Sequence, residues 1–308
     1  MTLSHSMREP IPHPGAVLIG HKGMLGRDLL ASLERSGFLV TGLDIPEIDI
    51  TRSESVLSCF KAAGPDLVIN CAAYTAVDKA ETDVEAAFAV NRDGSANLAE
   101  ACKALGIPLI HLSTDYVFDG TAKSPYREDD PVNPLSVYGR SKWEGEEAIR
   151  SRLSEHLIVR TAWLYGVHGQ NFVKTMLRLG REREEIRVVA DQHGCPTWTE
   201  DLSEALVFMA KRILDPDAAP GWGTFHFCGG GATTWHAFAR AIIEEGRQRE
   251  ALKVERVLPI TTADYPTPAH RPASSVLDCH KVGAHFGITP PSWRASLSKM
   301  IEELYSLQ

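Results

Sequence analysis

The segment formed by residues 16–37 constrains the fold most strongly. Its first four residues, Ala-Val-Leu-Ile, form an apolar run that predicts a short buried strand. A turn containing Gly20, Gly23 and Gly26 follows, and leucines then continue at helical spacing as far as Gly37. A strand, a glycine turn and a helix in this order are the opening unit of a parallel α/β sheet.

The glycine turn is a candidate phosphate-binding loop. Gly20, Gly23 and Gly26 let the backbone turn tightly and approach a dinucleotide, while the helix that follows presents free N–H groups to its pyrophosphate. The spacing is GxxGxxG, the form that extended short-chain dehydrogenases show, rather than GxGxxG. A glycine triplet alone also fits a simple tight turn, and it is the flanking strand and helix that favour cofactor binding.

Asp44 bears on the choice between NADH and NADPH. It ends the predicted second strand, residues 38–43, and lies 24 residues after Gly20. An acidic side chain there accepts hydrogen bonds from the adenosine ribose and repels a 2′-phosphate, which favours NADH. Lys22 in the glycine turn offers a positive charge to that phosphate and favours NADPH. The choice stays open, and Asp44 is equally well explained as a turn residue before Pro46.

Further strands and helices alternate along the chain and predict a Rossmann-like, doubly wound parallel sheet of the α/β class. The later predicted strands are residues 67–70, 107–112, 157–160, 186–189 and 224–227, and the predicted helices include residues 53–63, 82–105, 134–150, 199–213 and 292–307. The helix at 82–105 either continues or breaks near residues 91–94, where Asn91 is a candidate to brace the loop after the third strand. We expect a flexible tail at residues 1–14, a dinucleotide-binding domain at 15–165 and a smaller C-terminal α/β substrate domain at 166–308, from which some segments return to the main sheet.

Tyr138 and Lys142 are the candidate catalytic pair. In a helix over residues 134–150 they lie four residues apart on one face, so a proton donor stands beside a fixed cation. Reduction of a ketone needs both, because the carbonyl oxygen gains a proton as a hydride reaches its carbon. The alternative is that Tyr138 covers an edge of the core and Lys142 is a solvated helix residue. The spacing recurs by chance, so its weight depends on the neighbouring motifs.

Polar, aromatic and small side chains follow the predicted third, fourth and fifth strands. The hydroxyls of Ser113 and Thr114 are placed to hold a substrate carbonyl, although Ser and Thr are also common in caps and turns. Trp163 is placed to stack on a sugar or a base, whereas core packing is the commoner use of a tryptophan. Ala72 and Ala73 leave room for a flat ring or a ribose at the sheet edge.

The composition excludes several classes of function. The net charge is −8 at pH 7, and no long run of Lys or Arg offers a surface for nucleic acid or an anionic membrane. The six cysteines are scattered without a CxxC pair, which favours reduced thiols in a cytoplasmic protein. We expect no membrane span and no signal peptide, because no apolar segment is long enough, and no catalytic zinc, because the twelve histidines include no HExxH motif.

Eight segments together resemble the dTDP-4-dehydrorhamnose reductases, a family of extended short-chain dehydrogenases. They are GHKGMLG (20–26), NCAAYTAVDKAE (70–81), HLSTDYVFDG (111–120), SVYGRSKWEGE (136–146), RTAWLYG (160–166), NFVKTMLRL (171–179), DQHGCPT (191–197) and YPTPAHRPASSVLD (265–278). The resemblance implies NADPH- or NADH-dependent reduction of the C4 ketone of dTDP-4-dehydro-6-deoxy-L-mannose, which is dTDP-4-dehydro-L-rhamnose, to dTDP-L-rhamnose for polysaccharide synthesis. The implied partner is thus a small-molecule nucleotide sugar, and a homodimer is also expected.

The resemblance further implies roles for individual residues. Tyr138 would donate the proton, Lys142 would bind the nicotinamide ribose and tune Tyr138, and Thr114 would assist the proton relay. The residues implied to line the cofactor with that pair are Gly23, Met24, Leu25, Asp44, Asp49, Ile50, Ala72 and Ala73, and those implied to contact the substrate are Thr114, Asp115 and Trp163. Guanidinium geometry makes Arg271 a candidate partner for the diphosphate. Some family members bind Mg²⁺ at a dimer interface, and Asp28 and Glu200 match two of those positions loosely.

Two other interpretations stay open. A nucleotide-sugar epimerase or dehydratase of the same fold would retain NAD without net consumption, but a dehydratase usually has Glu after the acid, and here Tyr116 follows Asp115. A non-catalytic regulatory subunit is the other alternative. The presence of Tyr138, Lys142 and Thr114 argues against it.

Overall fold

The computed structural model of the chain describes residues 13–307. Its strands are β1 (Gly15–Ile19), β2 (Leu39–Leu43), β3 (Leu67–Asn70), β4 (Leu109–Thr114), β5 (His156–Thr161), β6 (Leu164–Tyr165), β7 (Glu185–Val189), β8 (His193–Gly194), β9 (Thr197–Trp198), β10 (Gly223–His226), β11 (Thr233–Thr234) and β12 (Arg256–Ile260). Its helices are α1 (Met24–Arg35), α2 (Ser53–Ala63), α3 (Val77–Ala80), α4 (Val84–Phe88), α5 (Gly94–Leu105), α6 (Val137–Arg150), α7 (Phe172–Glu182), α8 (Thr199–Leu214), α9 (Trp235–Arg247), α10 (His280–Phe286) and α11 (Trp293–Ser306). A π-helical turn, Ala89–Asp93, joins α4 to α5, and 3-10 turns lie at Asp115–Val117 and Thr262–Asp264.

Six strands form a parallel sheet in the order β10-β5-β4-β3-β1-β2. Because all six run in the same direction, their carboxyl ends lie at one edge, where such sheets bind ligands. The chain passes from β1 outward to β2 and then returns across β1 to β3, so the strand order reverses between β1 and β3. The predicted Rossmann-like, doubly wound sheet is confirmed, and the reversal marks where a dinucleotide cleft is expected.

Helices cover both faces of this sheet, which explains why its central strands are apolar on both sides. On one face, Leu29 of α1 packs in a cluster with Leu206 of α8 and with residues of α10. On the other face, Phe60 of α2, Leu98 of α5 and Ile149 of α6 form a second cluster. The predicted catalytic helix α6 is therefore anchored to the sheet by its apolar residues.

A separate hydrophobic core lies in the second half of the chain. Val173 and Leu177 of α7, Phe238 and Ile242 of α9 and Met300 of α11 belong to it, and β7 pairs with β12 beside them. Two other late elements join the main sheet, because β10 pairs with β5 and α8 packs on α1. The domain boundary at residue 165 stays a prediction, and residues 1–12 of the expected tail lie outside the described residues.

Most predicted elements are present with shifted ends. The predicted catalytic helix α6 begins at Val137 rather than at residue 134, because Ser136 caps it and accepts a hydrogen bond from the Gly139 amide. The fourth strand extends to Thr114. The stretch at 82–105 does not break near Asn91 but widens there into the π turn. Within residues 13–307, no helix combines the length and the apolar character needed to span a membrane.

Candidate active site

The carboxyl edge of the main sheet gathers most of the predicted site residues. β1 leads into the glycine turn, β2 into Asp44, β3 into Ala72 and Ala73, and β4 ends at Thr114. α6 packs against β4 and the 3-10 turn after it. Since β4, β3, β1 and β2 are neighbours in the sheet, the predicted cofactor residues and the predicted catalytic pair lie at one edge.

The turn between β1 and α1 has the geometry of an anion-binding loop. Gly20 adopts φ +78°, and a Cβ there would lie 2.7 Å from the Ala72 nitrogen, so only glycine permits this turn. Gly23 is the N-cap residue of α1, and because it has no side chain, it makes no hydrogen bond with the first N–H groups of the helix. These groups and the positive end of the helix dipole favour a phosphate. The predicted cofactor residues of this turn are Gly20, Gly23, Met24, Leu25 and Gly26.

The end of β2 holds the charges that bear on the adenosine end of a cofactor. Asp44 accepts hydrogen bonds from the Ile45 amide at 2.9 Å and from the Lys22 amide at 3.3 Å. Lys22 Nζ lies 3.1 Å from a carboxylate oxygen of Glu47. A backbone hydrogen bond and the Lys22 ammonium lower the pKa of Glu47. The Lys22 ammonium, which is expected to favour NADPH, is therefore already paired with the Glu47 carboxylate near Asp44.

The next two predicted cofactor residues lie in the loop before α2. Asp49 accepts hydrogen bonds from the Thr51 amide at 3.0 Å and the Thr51 hydroxyl at 2.7 Å. Ile50 is buried against Gly94 of α5, so its side chain packs inward. Asp49 and the Ile50 backbone remain the parts that can line a cofactor.

Two asparagine side chains fix the loop after β3. Asn70 Oδ1 accepts a hydrogen bond from the Ala72 amide at 3.1 Å. Asn91 accepts from the Tyr74 amide at 2.8 Å, donates to the Tyr74 carbonyl at 3.1 Å, and donates to Ser141 of α6 at 2.9 Å. The predicted bracing role of Asn91 is confirmed. Asn91 couples this loop directly to α6.

Tyr138 lies in the first turn of α6, beside the end of β4. The adjacent Gly139 lets the helix approach the Tyr116 carbonyl, because a Cβ there would collide with that oxygen. The Tyr138 and Tyr116 rings meet edge to face, with centroids 5.9 Å apart. Burial raises the pKa of Tyr138 to about 12, while the Thr114 hydroxyl opposes this change and the Asp115 carboxyl group adds to it. The phenol therefore stays protonated at neutral pH, as a proton donor requires.

Lys142 is buried on the inner face of α6. It is 2% exposed, so the alternative of a solvated helix residue is wrong. Its Nζ donates to the Leu112 carbonyl at 2.6 Å and lies 3.4 Å from His111 Nε2, and within the described residues it makes no hydrogen bond with Tyr138. Burial lowers the pKa of Lys142 to about 8 against the opposing charge of Glu146. The lysine thus titrates close to neutral pH.

Thr114 and Asp115 lie at the end of β4 beside Tyr138. The Thr114 hydroxyl donates to Asp115 Oδ1 at 3.0 Å and accepts from the Tyr116 amide at 3.2 Å. Asp115 is 2% exposed, and its Oδ2 has no hydrogen-bond partner among the described residues. Burial raises the pKa of Asp115 to about 7, and the nearby Ser275 and Thr114 hydroxyls oppose this change. A buried acceptor without a donor is suited to a sugar hydroxyl.

The Ser113 hydroxyl, expected at the substrate carbonyl, is bound within the chain, and its role at the substrate stays a prediction. Its hydroxyl donates to Glu146 Oε1 at 2.5 Å, and Arg160 donates to the two oxygens of Glu146 at 2.9 and 2.7 Å. Arg150 adds a bond of 2.6 Å. Burial alone would raise the pKa of Glu146, but Arg160 and Arg150 outweigh it and hold this pKa below its ordinary value. Sequence reasoning missed this network, although Glu146 continues the four-residue spacing of Tyr138 and Lys142.

Trp163 follows β5 in a left-handed backbone conformation, with φ +47°. Its indole stacks on Trp235, with ring centroids 3.5 Å apart and planes 8° apart. The ring also contacts the backbone at Gly194. One face of Trp163 is therefore covered by a partner that the sequence did not indicate. Stacking of its other face on a sugar or base stays a prediction.

Arg271 forms an ion pair within the chain. Its two terminal nitrogens donate to the two oxygens of Asp78 at 2.9 and 2.8 Å, and one also donates to Thr267 at 2.5 Å. The pair ties the loop at 265–278 to α3. The guanidinium fork expected to meet a diphosphate is thus already bound to a carboxylate, and the diphosphate role stays a prediction.

The two candidate metal ligands are bound to other side chains. Asp28 accepts a hydrogen bond from Thr199 and lies 3.4 Å from His168, and Glu200 pairs with Arg35 at 2.7 Å. Among residues 13–307, no three His, Cys, Asp or Glu side chains are grouped so that they could hold a metal ion. The donor set for Mg²⁺ therefore does not fit within one chain.

Comparisons with known proteins agree over nearly the whole chain. A family model described as the RmlD substrate binding domain matches residues 16–306. A dTDP-4-dehydrorhamnose reductase from Sinorhizobium fredii is 46% identical over 282 residues, which cover 92% of this chain and 95% of the relative. A crystal structure of a dTDP-4-dehydrorhamnose reductase from Clostridium acetobutylicum has a TM-score of 0.88 and 39% identity, and covers 94% of this chain and 99% of that one. The Bacillus anthracis reductase, solved in complex with NADP, has a TM-score of 0.87 and 36% identity, with the same coverage of both chains.

Proposed function

The chain belongs to the RmlD substrate binding domain family, and on this premise we propose that it is an NAD(P)H-dependent reductase. Its reaction is the reduction of the C4 ketone of dTDP-4-dehydro-6-deoxy-L-mannose to dTDP-L-rhamnose. The observation that carries the proposal is the half-buried, protonated Tyr138 phenol at the same sheet edge as the glycine turn. The names of the similar reductases support the choice of substrate.

The proton path begins at Tyr138. With the pyrophosphate at the glycine turn, Tyr138 and Lys142 would face the nicotinamide end of the cofactor, which would supply the hydride. Tyr138 gives its phenolic proton to the carbonyl oxygen as negative charge develops there. Since the pKa of Tyr138 is raised to about 12, the phenol loses this proton only to an oxygen that is becoming an alkoxide. The Thr114 hydroxyl, hydrogen-bonded to Asp115, orients the phenol and the substrate carbonyl.

Lys142 stabilises the phenolate that forms when Tyr138 loses its proton. Its ammonium lies one helical turn further along α6, and a nearby positive charge stabilises a phenolate. The same residue is proposed to bind the nicotinamide ribose. Because the pKa of Lys142 is lowered to about 8, it can return a proton to Tyr138 near neutral pH.

The cofactor is proposed to lie across the ends of β1, β2 and β3. The residues proposed to hold it are Gly20, Gly23, Met24, Leu25, Gly26, Asp44, Asp49, Ile50, Ala72 and Ala73, with Tyr138 and Lys142 at the nicotinamide end. Asp44 and Glu47 favour an unphosphorylated adenosine ribose, whereas Lys22 favours a 2′-phosphate. The NADP complex of the similar reductase supports testing both cofactors.

The substrate is proposed to lie at the ends of β4 and β5. Thr114 and Asp115 Oδ2, which has no partner among the described residues, would bind the hexose, and the face of Trp163 turned away from Trp235 would stack on a ring. Arg271 would reach a diphosphate only by sharing its fork with Asp78. A homodimer and a cytoplasmic location are further parts of the proposal, and they depend on the resemblance and on the cysteine pattern, respectively.

A coupled assay tests this function. The keto sugar is made in place from dTDP-glucose by the two preceding enzymes, and consumption of NADH or NADPH is followed at 340 nm. We expect consumption only when the keto sugar is present, with dTDP-L-rhamnose as the product. Tightly retained NAD without net consumption would instead indicate an epimerase or a dehydratase, and no turnover with a co-purifying protein partner would indicate a regulatory subunit.

A further inference from the structure

Lys142 has a buried neighbour to which no role has been assigned. His111, on β4, is 1% exposed, and its Nε2 lies 3.4 Å from Lys142 Nζ. Its other ring nitrogen, Nδ1, lies 3.1 Å from Asn70 Nδ2. The three side chains thus form a buried row from the end of β3 to the catalytic helix.

The hydrogen bonds of Asn70 fix which ring nitrogen of His111 carries the proton. The Ala72 amide can only donate, so the Asn70 atom 3.1 Å from it must be the side-chain oxygen. The Asn70 NH₂ group therefore faces His111 Nδ1, which must accept. Burial and the charge of Lys142 keep the pKa of His111 well below its ordinary value, so the ring is neutral. A neutral ring that accepts at Nδ1 carries its proton on Nε2.

We propose that His111 is a positioning residue for Lys142, presenting its Nε2–H group to Nζ and so favouring the uncharged amine over the ammonium. An ammonium has three donors and no acceptor, so one of its N–H groups would face another N–H group. A neutral amine donates to the Leu112 carbonyl and accepts from His111, which satisfies both contacts.

The other groups that face Lys142 do not replace this effect. Glu146, one turn further along α6, acts in the opposite sense, because its charge raises the pKa of Lys142 even though Arg160 and Arg150 bind its carboxylate. Cys71, in the loop after β3, has its pKa raised to about 12 by burial and is a neutral thiol. His111 is therefore the neighbour that most directly discriminates between the two forms of Lys142.

The consequence for the reaction depends on the proposed function. After Tyr138 has given its proton to the substrate, one N–H bond of the Lys142 ammonium breaks, and the proton passes through a bridging water or hydroxyl group to re-form the phenolic O–H. The lone pair left on Nζ then accepts the hydrogen bond from His111 Nε2–H. His111 thus makes Lys142 a better proton source without touching the substrate.

The tautomer of His111 is the first test, and it needs no turnover. In ¹⁵N-histidine-labelled wild-type protein, long-range ¹H–¹⁵N correlation spectra distinguish a protonated Nε2 from a protonated Nδ1. We expect a protonated Nε2 and an unprotonated Nδ1 at pH 7, with the His111 signals identified by their loss in His111→Gln. The opposite tautomer, or a doubly protonated ring, would overturn the proposal even if the reductase is active.

The titration of Lys142 is the second test. In ¹⁵N-lysine-labelled protein, the Nζ signal that disappears in Lys142→Met is followed from pH 6 to 11. His111→Gln can turn an amide oxygen toward Nζ, so we expect its midpoint to rise by about one pH unit or more, together with the basic limb of the kcat/KM profile. His156→Gln is the matched control, since His156 is a buried histidine on β5 that bonds the Leu153 carbonyl instead. An unchanged or lowered midpoint in His111→Gln would contradict the inference.

Discussion

Glu146 and Lys142 lie one helical turn apart on α6 and are both buried, but they differ in their partners and in the direction of their pKa shifts. Glu146 is fully buried and is met by Arg160, itself 1% exposed, as well as by Arg150 and Ser113, so it stays ionised. Lys142 is buried to the same degree, but its contacts are a carbonyl oxygen and a neutral imidazole. Burial therefore moves its pKa toward neutrality, whereas the pKa of Glu146 moves away from it.

The difference shows which buried groups hold the structure and which are available for chemistry. A buried charge that has an oppositely charged partner stays in one protonation state, because the partner stabilises the charged form. Removing the partner would leave an unpaired charge away from water, which is strongly destabilising. An uncompensated group can change its protonation state within the working pH range. Asp115 belongs with Lys142, since its Oδ2 has no partner among the described residues and its pKa is raised to about 7.

Arg160→Met removes the buried ion-pair partner of Glu146. Glu146 would lose its main partner while remaining buried, so we expect the free energy of unfolding to fall by about 3–5 kcal/mol. Urea unfolding followed by circular dichroism measures the change. Arg178→Met is the matched control, because Arg178 pairs with Glu182 on the surface and should cost about 0.5 kcal/mol or less. Equal losses in the two variants would contradict the comparison.

Asp115→Asn removes an uncompensated carboxyl group. The folded-state pKa of Asp115 is raised to about 7, so between pH ~4 and 7 the folded protein keeps a proton that the unfolded chain releases. The contribution of Asp115 to the free energy of unfolding is therefore complete below pH ~4 and is lost as the pH rises through 7. The variant lacks this loss, and its stability relative to wild type should improve by up to about 4 kcal/mol between pH 4 and 8. Urea unfolding across this range, with the exposed Asp217→Asn as baseline, is the measurement. A difference that does not depend on pH would refute the assignment.

Lys142→Met tests the same idea with the opposite charge. The folded-state pKa is lowered to about 8, so the penalty on the ammonium is complete below pH 8 and fades as the pH rises toward ~10.4. The variant should be more stable by about 2 kcal/mol at pH 7, after allowing about 1 kcal/mol for the donor lost by the Leu112 carbonyl. Turnover should be lost at the same time. Lys103→Met on the exposed side of α5 is the control, and a destabilised Lys142→Met protein would count against the account.

The sequence predicted the main sheet well because the relevant patterns are local. The apolar strands, the glycine turn and the four-residue spacing of Tyr138 and Lys142 each lie within one or two elements. The π turn at Asn91 was not foreseen. The bracing contact of the Asn91 side chain with the Tyr74 backbone, 17 residues earlier, was predicted, but the local periodicity does not show that the helix widens to allow it.

The surroundings of the site were less predictable, because they join residues from distant parts of the chain. His111 and Leu112 lie about thirty residues before Lys142, and Trp235 reaches Trp163 from the second half of the chain. The pairing of Arg271 with Asp78 spans 193 residues. Glu146 is the exception: its position one turn after Lys142 places it on the same helix face, and the sequence alone could have revealed it.

The central claim is that the Tyr138 phenol is the proton donor, and Tyr138→Phe tests it most directly. The assay is the rate of NADPH or NADH oxidation with saturating keto sugar, alongside the dissociation constant of the cofactor. We expect kcat to fall by about 10²–10⁴ while the cofactor affinity stays within about twofold. Full activity in Tyr138→Phe, with the cofactor bound normally, would contradict the account.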